Sequence, residues 1–480
     1  MARKLDGSKI SKNHNPNMNR SLALDALRGY AIITMILSAT VVGGILPGWM
    51  YHCQEPPPSH AYDATIAGVT WVDLVFPAFL FAMGAAFPFS IGKRREQGIS
   101  RLRLAGQIVW RAVLLTYFAI LVQHFYPYVT SGGQQTWHHW LMALGCFAAM
   151  FAMFMRLPER WPAWLRHTIQ PAALLLGLVA MLMMHYPDGT GFDPHRSNII
   201  ILIMANVALW GGLLYLLTIG HERVRWLMLL ALAALFLSST VDGSWAQDAL
   251  RWTPLDWCYQ PWMLKYLLIV IPAAHAGELM RRAMAQPPAA APRPIRAGMV
   301  LLVCLALVVT NLTLLYTRQL LLNMAVSAAW LLVGWLMLRR GQGYVALWRD
   351  LFALASALLV LGLMIEPFEG GIKKDPPSFS YLLVMGALAG FLLIALSVIC
   401  DAWRCRRSTN FLVMSGRNPM VAYVAGDLCV IPLLQLTHIW PFFAIFATSP
   451  WLGFLHGVIL TALAVMVTML FTRLGCLWRT

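Results

Sequence analysis

Long apolar runs separated by short polar connections set the pattern of this chain from residue 22 to its end. The runs fall at 22–46, 69–91, 109–127, 137–155, 168–186, 199–218 and 226–240. They continue at 262–280, 297–316, 319–338, 351–367, 381–400, 417–436 and 450–471. Most reach the roughly 20 residues with which a helix crosses a ~30 Å hydrocarbon layer, and no recurring ten-residue alternation of the barrel kind appears. The pattern predicts an all-α fold, a polytopic integral membrane helical bundle of about 12–14 transmembrane helices. The run at 226–240 is short, and the tight turn at Thr317 and Arg318 raises the expectation of a re-entrant hairpin.

Composition sharpens this picture. Only 12% of the residues are charged and 59% are hydrophobic, against about a quarter charged in soluble domains. The formal charge of +16 would suit a nucleic-acid partner, but its placement argues for orientation in a bilayer instead. With the N-terminus inside, about 30 of the 36 Lys and Arg fall at one set of helix ends, as the positive-inside bias requires. The clusters KRREQGISRLR, RLPERWPAWLR, the pair at 339–340 and RCRR from 404 mark those cytoplasmic connections, and both termini are expected to be cytoplasmic. Residues 1–21 read as a retained cytoplasmic basic tail, 22–284 as an N-terminal helical bundle, 285–298 as a Pro/Ala-rich linker and 299–480 as a C-terminal helical set. Of the eight cysteines, Cys53 and Cys258 share the opposite side and are a candidate disulfide.

The connections on that opposite side carry the candidate chemistry. In MYHCQEPPPSHAYDATIAGVTWVDLVFP, residues 50–77, a loop centred on 47–68 holds His52, Glu55, His60 and Asp63, and Asp73 lies at the mouth of the next run. A carboxylate just inside an apolar run needs a partner or water; capping its own helix is one role and orienting an imidazole another. A neutral imidazole can act as general base or as transient acyl carrier. Zinc binding by this loop lacks a specific spacing, and no metal is expected. At the basic side, Asp25 and Arg28 share a helix face beside Gly29, and Arg417 and Asn418 precede a proline in GRNPMVAY. His275 and Glu278, three apart, are expected to join a polar network. Outside, Trp71, His138, His139 and Glu55 are candidate contacts for an acceptor.

SLALDALRGYAIITMIL, then the histidine-bearing loop, then GVTWVDLVFPAFLFAMGAA resemble the N-terminal signature of the heparan-alpha-glucosaminide N-acetyltransferase family and its bacterial relatives. The likeness is carried by Asp25, Arg28 and Gly29 (D-x-x-R-G), by Gly68 to Pro77 (G-x-T-x-x-D-L-V-F-P) and by Met83-Gly84. AAHAGELM at 273–280 and SGRNPMVAYVAG at 415–426 are weaker matches. The resemblance implies a transmembrane acyltransferase that moves an acetyl group from cytoplasmic acetyl-CoA to an amino sugar or glycan on the far side, with a loop histidine at its centre. By position that histidine is His60. The spacing from His60 to Asp73 is longer than the family's, which keeps His52 in contention, and an asparagine of the family's first span stands here as Ala39.

Coenzyme A is polyanionic, so Arg28, Asp25 as its partner, Arg417 and Asn418 are the expected donor-side residues, with further arginines of the basic loops around them. The expected setting is a bacterial inner membrane, with a CoA thioester, a sugar acceptor and the lipid bilayer as partners, no nucleic acid, and room for a homodimer. A secondary transporter of a sugar or organic anion is the competing reading, since intramembrane carboxylates and proline-broken helices also suit alternating access.

Overall fold

The computed structural model describes residues 21–157, 161–286 and 292–478. The basic tail up to residue 20 and the middle of the Pro/Ala-rich linker lie outside the described residues, as does part of the RLPERWPAWLR connection. Among the described residues 13 helices are long and apolar enough to cross a membrane. These are α1 (Leu22–Thr40), α2 (Trp71–Glu96), α3 (Arg101–Phe125), α4 (Trp137–Phe154), α5 (Ala163–Leu182), α6 (Ile199–Leu217), α8 (Pro261–Ala285), α9 (Pro294–Tyr316), α10 (Leu320–Leu338), α11 (Tyr344–Ile365), α12 (Phe379–Ala402), α14 (Pro419–Leu436) and α15 (Pro450–Arg473). Between them lie α7 (Glu222–Ser238, 17 residues) and the short amphipathic α13 (Arg406–Arg417). The protein is an all-α, multi-pass membrane protein.

Contacts between connections sort the bundle into two ends. At the basic end Arg281 pairs with Glu96, Arg225 with Glu278 (2.9 Å), His275 with Glu222 (2.9 Å), and Arg296 donates to the Met337 carbonyl (3.1 Å). At the opposite end His195 meets Asp256 (3.4 Å), Arg318 meets Glu366 (2.6 Å) and Gly68 N–H donates to Ile372 (2.8 Å). Helix α7 starts among the first set and leads into the loop that carries Asp256, so it traverses the bundle as a fourteenth crossing; ~1.5 Å per residue is enough for it to do so. Trp478 donates to Asn418, next to the Gly416 carbonyl that Arg28 of α1 meets, so the described ends of the chain share one region of the bundle.

The re-entrant expectation at Thr317 and Arg318 is corrected: α9 has 23 residues and α10 has 19, and both run the full depth. A buried polar ladder joins them. Asn311 Nδ2 donates to Ser327 Oγ (3.0 Å) and Asn323 Nδ2 donates to Asn311 Oδ1 (3.0 Å), which satisfies these amides where lipid offers no partner. Only the turn itself, with Arg318 at φ 58°, is irregular.

Position in the bundle follows side-chain size as well as hydropathy. In α12, 89% of the spanning window is buried, against 17% in α5 and α10, so α12 is the axis and those two face lipid. Helices α2 and α8 touch through Gly84 and Gly277: a methyl on Gly277 would collide with the Ala85 carbonyl. Helices α1 and α13 meet in the same way through Gly29 and Gly416. Without a hydrophobic drive between helices in lipid, such small-residue crossings are what fixes neighbours.

Candidate active site

Asp73 sits in the first turn of α2 and is buried to 1% exposure. Its two oxygens have separate tasks. Oδ2 accepts from Thr70 N–H (2.9 Å) and Cys53 N–H (3.3 Å), completing a capping box with Thr70 at the start of the helix. Oδ1 lies 2.7 Å from His52 Nδ1. The capping and orienting roles that the sequence offered as alternatives therefore coexist on one carboxylate. Tyr381 of α12 fixes the same turn from below, donating its hydroxyl to the Asp73 carbonyl (2.8 Å).

A carboxylate on Nδ1 selects the imidazole tautomer with the proton there, leaving Nε2 as the free acceptor. His52 is 31% exposed on its side chain, so the ring is partly open to solvent. Lys374 completes the cluster, its Nζ 2.9 Å from Nδ1, 3.2 Å from Nε2 and 4.0 Å from Asp73 Oδ1. With both distances short, the amine lies over the imidazole face and off the in-plane lone pair of Nε2. Burial pushes the Lys374 pKa down, and the carboxylates of Asp73, Glu55 and Asp375 oppose that shift.

The loop that carries Lys374, 366–378, is pinned on all sides. Gln54 grips the backbone of Asp375 twice, donating to its carbonyl (2.6 Å) and accepting from its N–H (2.9 Å). Tyr62 donates to the same carbonyl (2.6 Å), and Lys265 donates to Pro377 (2.6 Å). Glu369 accepts from Phe379 and Ser380 N–H (2.6 and 2.8 Å) and so caps α12. Sequence reasoning missed this loop. The signal was there: KKDPPS places two lysines on the side that positive-inside bias keeps poor in them.

His60 does not meet Asp73. Its Nε2 accepts from Gly44 N–H (2.9 Å), its Nδ1 donates to the Glu55 carbonyl (3.2 Å), and its ring packs edge-on against Tyr51 at 4.5 Å. Both nitrogens thus staple the loop, with His60 at a positive φ of 52°. The imidazole that Asp73 orients is His52, not the position-matched His60. Glu55 enters through its backbone carbonyl. Trp71, on the turn that carries Asp73, packs by the Leu46, Met50 and Tyr51 cluster with its indole N–H buried and unpartnered.

His138 and His139 are not brought to this cluster. His139 Nδ1 accepts from Thr136 N–H (3.1 Å) and acts in a capping box for α4, while His138 packs on Trp137. The Cys53–Cys258 disulfide is corrected as well: all eight cysteines are free. Burial, with Asp73 adding and Arg318 opposing, pushes the Cys53 thiol up to about 11, so it stays protonated at neutral pH and is a poor acyl carrier.

At the basic end Arg28 Nη1 donates to the Gly416 carbonyl (3.2 Å) and reaches Asp25 at 3.4 Å. The two motifs D-x-x-R-G and S-G-R-N-P are thereby one structure, joined at the Gly29–Gly416 crossing. Arg28 and Arg94 come within electrostatic reach of Arg111 on α3. One turn further along the same faces, Ile32 and Leu115 line an apolar cavity with Met35, Phe79, Phe118, Ile201, Met204, Pro419, Met420 and Tyr423. His52 is not on its wall. Arg417 is exposed, and Asn418 is fully used in holding the C-terminal segment, donating to Cys476 (3.0 Å) and accepting from Trp478 N–H (3.2 Å). His275 and Glu278 do join a polar network, with Glu222 and Arg225.

A family model described as a domain of unknown function, DUF5009, matches residues 20–280, more than half of the 480 residues, and spans α1, the first outer loop and α2. The chain belongs to the DUF5009 family. It is also 30% identical over 118 residues to the heparan-alpha-glucosaminide N-acetyltransferase of Mus musculus, covering 24% of this chain and 16% of that protein. To the protein of that name from Homo sapiens it is 33% identical over 103 residues, 22% of this chain and 14% of the relative. The matched stretches thus span under a fifth of the curated relatives. The resemblance read from the motifs is supported at that level.

Proposed function

We propose that this member of the DUF5009 family is a transmembrane acyltransferase that moves an acetyl group from acetyl-CoA, bound at the basic end, to an amino sugar or glycan at the opposite end, with His52 at the reacting centre. The observation that carries the reading is the 2.7 Å pairing of His52 Nδ1 with the buried Asp73 Oδ1. A carboxylate-oriented imidazole with its second nitrogen free is the constellation that acyl transfer uses, either to take the proton of an attacking amine or hydroxyl or to carry the acyl group itself. The similarity to two proteins named as N-acetyltransferases supports the same chemistry.

The donor side supports it independently. Arg28 and Arg94 lie within electrostatic reach of Arg111, a basic region suited to phosphates, and the apolar cavity one turn deeper, about 20 Å³ and so water-sized, has to widen before a pantetheine arm can enter. The cavity ends short of His52, so transfer on this reading includes a step in which the far halves of α1 and α2 separate from α14 and admit the thioester. The basic end then faces the cytoplasm, in a bacterial inner membrane.

The test is transfer of labelled acetyl from acetyl-CoA to glucosamine by the purified full-length chain. His52→Ala is expected to lower the rate at least 100-fold while His60→Ala retains most of it. Undiminished transfer in His52→Ala would overturn the assignment.

A further inference from the structure

Three metal-type donors meet at the basic end, opposite the loop that carries His52. Glu222 opens α7, and His275 and Glu278 sit three apart on α8. One donor atom from each lies within 4.8 Å of those of the other two. Glu222 Oε1 stands 2.9 Å from His275 Nδ1, yet off its hydrogen-bonding direction, so this buried nitrogen has no hydrogen-bond partner. A hydrogen bond would place the oxygen on the axis of the ring nitrogen. Two ligands side by side on one metal ion stand differently: with bonds of about 2.1 Å they lie about 3.0–3.4 Å apart, each off the axis of the other. The Glu222–His275 pair has this second arrangement. Glu278 Oε2 stands wider, 4.0 Å from Nδ1, and has to close by roughly 0.6 Å to complete a tetrahedral edge.

Both carboxylates are already turned for such a site. Arg225 Nη2 holds the other oxygen of Glu278 at 2.9 Å, and Arg282 meets the other oxygen of Glu222 at 3.6 Å. Each acid thus spends one oxygen outward and keeps one beside Nδ1. Arg225 is itself fixed, donating from Nε to Thr218 Oγ1 (3.1 Å) and lying 4.6 Å over the Tyr215 ring. Outer partners of this kind set the direction of ligand carboxylates. The side chain of Glu222 is 36% exposed, which leaves an ion a way in.

The two guanidiniums offset the two carboxylates in charge, so simple attraction does not select the ion. What selects it is the donor set. One imidazole with two carboxylate oxygens suits Zn²⁺ and its neighbours in the first transition row, whereas Ca²⁺ and Mg²⁺ call for a shell of oxygens alone.

We propose that Glu222, His275 and Glu278 form a divalent transition-metal site that takes Zn²⁺, with water in the position the three side chains leave open. The ion ties the first turn of α7 to α8 and so fixes two crossings to each other at the basic end. The inference is independent of the acyltransferase reading. No metal motif in the sequence records it, because the donors come from two helices and α8 supplies only two of them.

The test is equilibrium dialysis of the purified full-length chain, stripped with a chelator, against Zn²⁺ alone, with bound metal counted by elemental analysis. One equivalent is expected, retained against a 100-fold excess of Mg²⁺ and accompanied by a melting temperature that climbs with Zn²⁺ concentration. His275→Ala and Glu222→Gln are each expected to weaken binding at least 10-fold; the second is isosteric and partly exposed, so it decides the matter if the first does not fold. His195→Ala removes the histidine that stands between Asp193 and Asp256 at the opposite end and is expected to leave binding unchanged. X-ray absorption at the zinc edge should show one imidazole among oxygen ligands. No bound zinc, binding that Mg²⁺ displaces, binding lost in His195→Ala but kept in Glu222→Gln, or a shell containing sulfur or several imidazoles would each overturn the inference.

Discussion

Asp73 holds His52 through Oδ1 at 2.7 Å while its Oδ2 caps the helix that carries it. The same carboxylate therefore ties the reactivity of the imidazole to the start of α2, and substitutions can part the two functions. Asp73→Asn keeps an oxygen for the cap but no longer holds the charge that fixes the tautomer. Transfer is expected to fall by on the order of 10²–10⁴ with little change in melting temperature. Asp73→Ala loses both, adding about 1 kcal/mol of destabilisation from the lost cap. Turnover and thermal unfolding measured side by side on the two variants check this; equal unfolding losses would contradict the division of labour.

His60 acts as a staple. Its Gly44 and Glu55 hydrogen bonds are worth about 1 kcal/mol each, so His60→Ala is expected to unfold at lower temperature and to show faster hydrogen exchange at Gly44. Its pH–rate profile should keep the shape of the unsubstituted protein. A profile that loses its histidine limb in His60→Ala, and retains it in His52→Ala, would reverse the assignment.

Lys374 gives a pH prediction with a definite sign. Its folded pKa lies below the usual lysine value of 10.5, chiefly from burial. Between the folded and unfolded values the unfolded chain binds more protons, so this group's unfavourable contribution is fully present below the folded pKa. It is relieved as pH rises toward 10.5. Lys374→Met is therefore expected to stabilise the protein at neutral pH and to lose that advantage in alkaline solution. Denaturant midpoints of both proteins from pH 7 to 10.5 measure it; a gap that widens with pH would refute the depressed value.

Arg111 was not singled out by the sequence, since a lone arginine on an apolar helix reads as a topology signal. It lies within electrostatic reach of Arg28 and Arg94, and on the proposed reading the three serve the donor's phosphates. Arg111→Gln is expected to raise KM for acetyl-CoA about 10-fold or more, the loss of one charged hydrogen bond, with kcat little changed. The effect should shrink at high salt, which screens the remaining guanidiniums. An unchanged KM with reduced kcat would place Arg111 elsewhere in the mechanism.

The crossing of α1 and α13 tests the fold. Gly416→Val forces a side chain into the Asp25 carbonyl, and helices cannot move apart without breaking the Arg28–Gly416 bond (3.2 Å). The expected outcome is a sharp loss of folded protein in membranes, measured by fluorescence-detected size exclusion.

The sequence by itself determined the helices, because hydropathy and length are properties of contiguous residues and lipid leaves the backbone no other way to satisfy its polar groups. It also determined that Asp73 must have a partner, since a carboxylate inside an apolar run is costly alone. Which partner was a tertiary matter. His60 is the nearer of the two in the chain, yet Asp73 meets His52, 21 positions away; the choice fell to the loop's path, fixed by Tyr51, by Gly44 and by the 366–378 loop. Lys374, separated from His52 by 322 positions, joins it because α12 packs at the centre of the bundle and carries that loop to the mouth of α2. Such a meeting depends on which helices touch, set by small residues far from the site, and no local pattern of hydrophobic and polar positions records it.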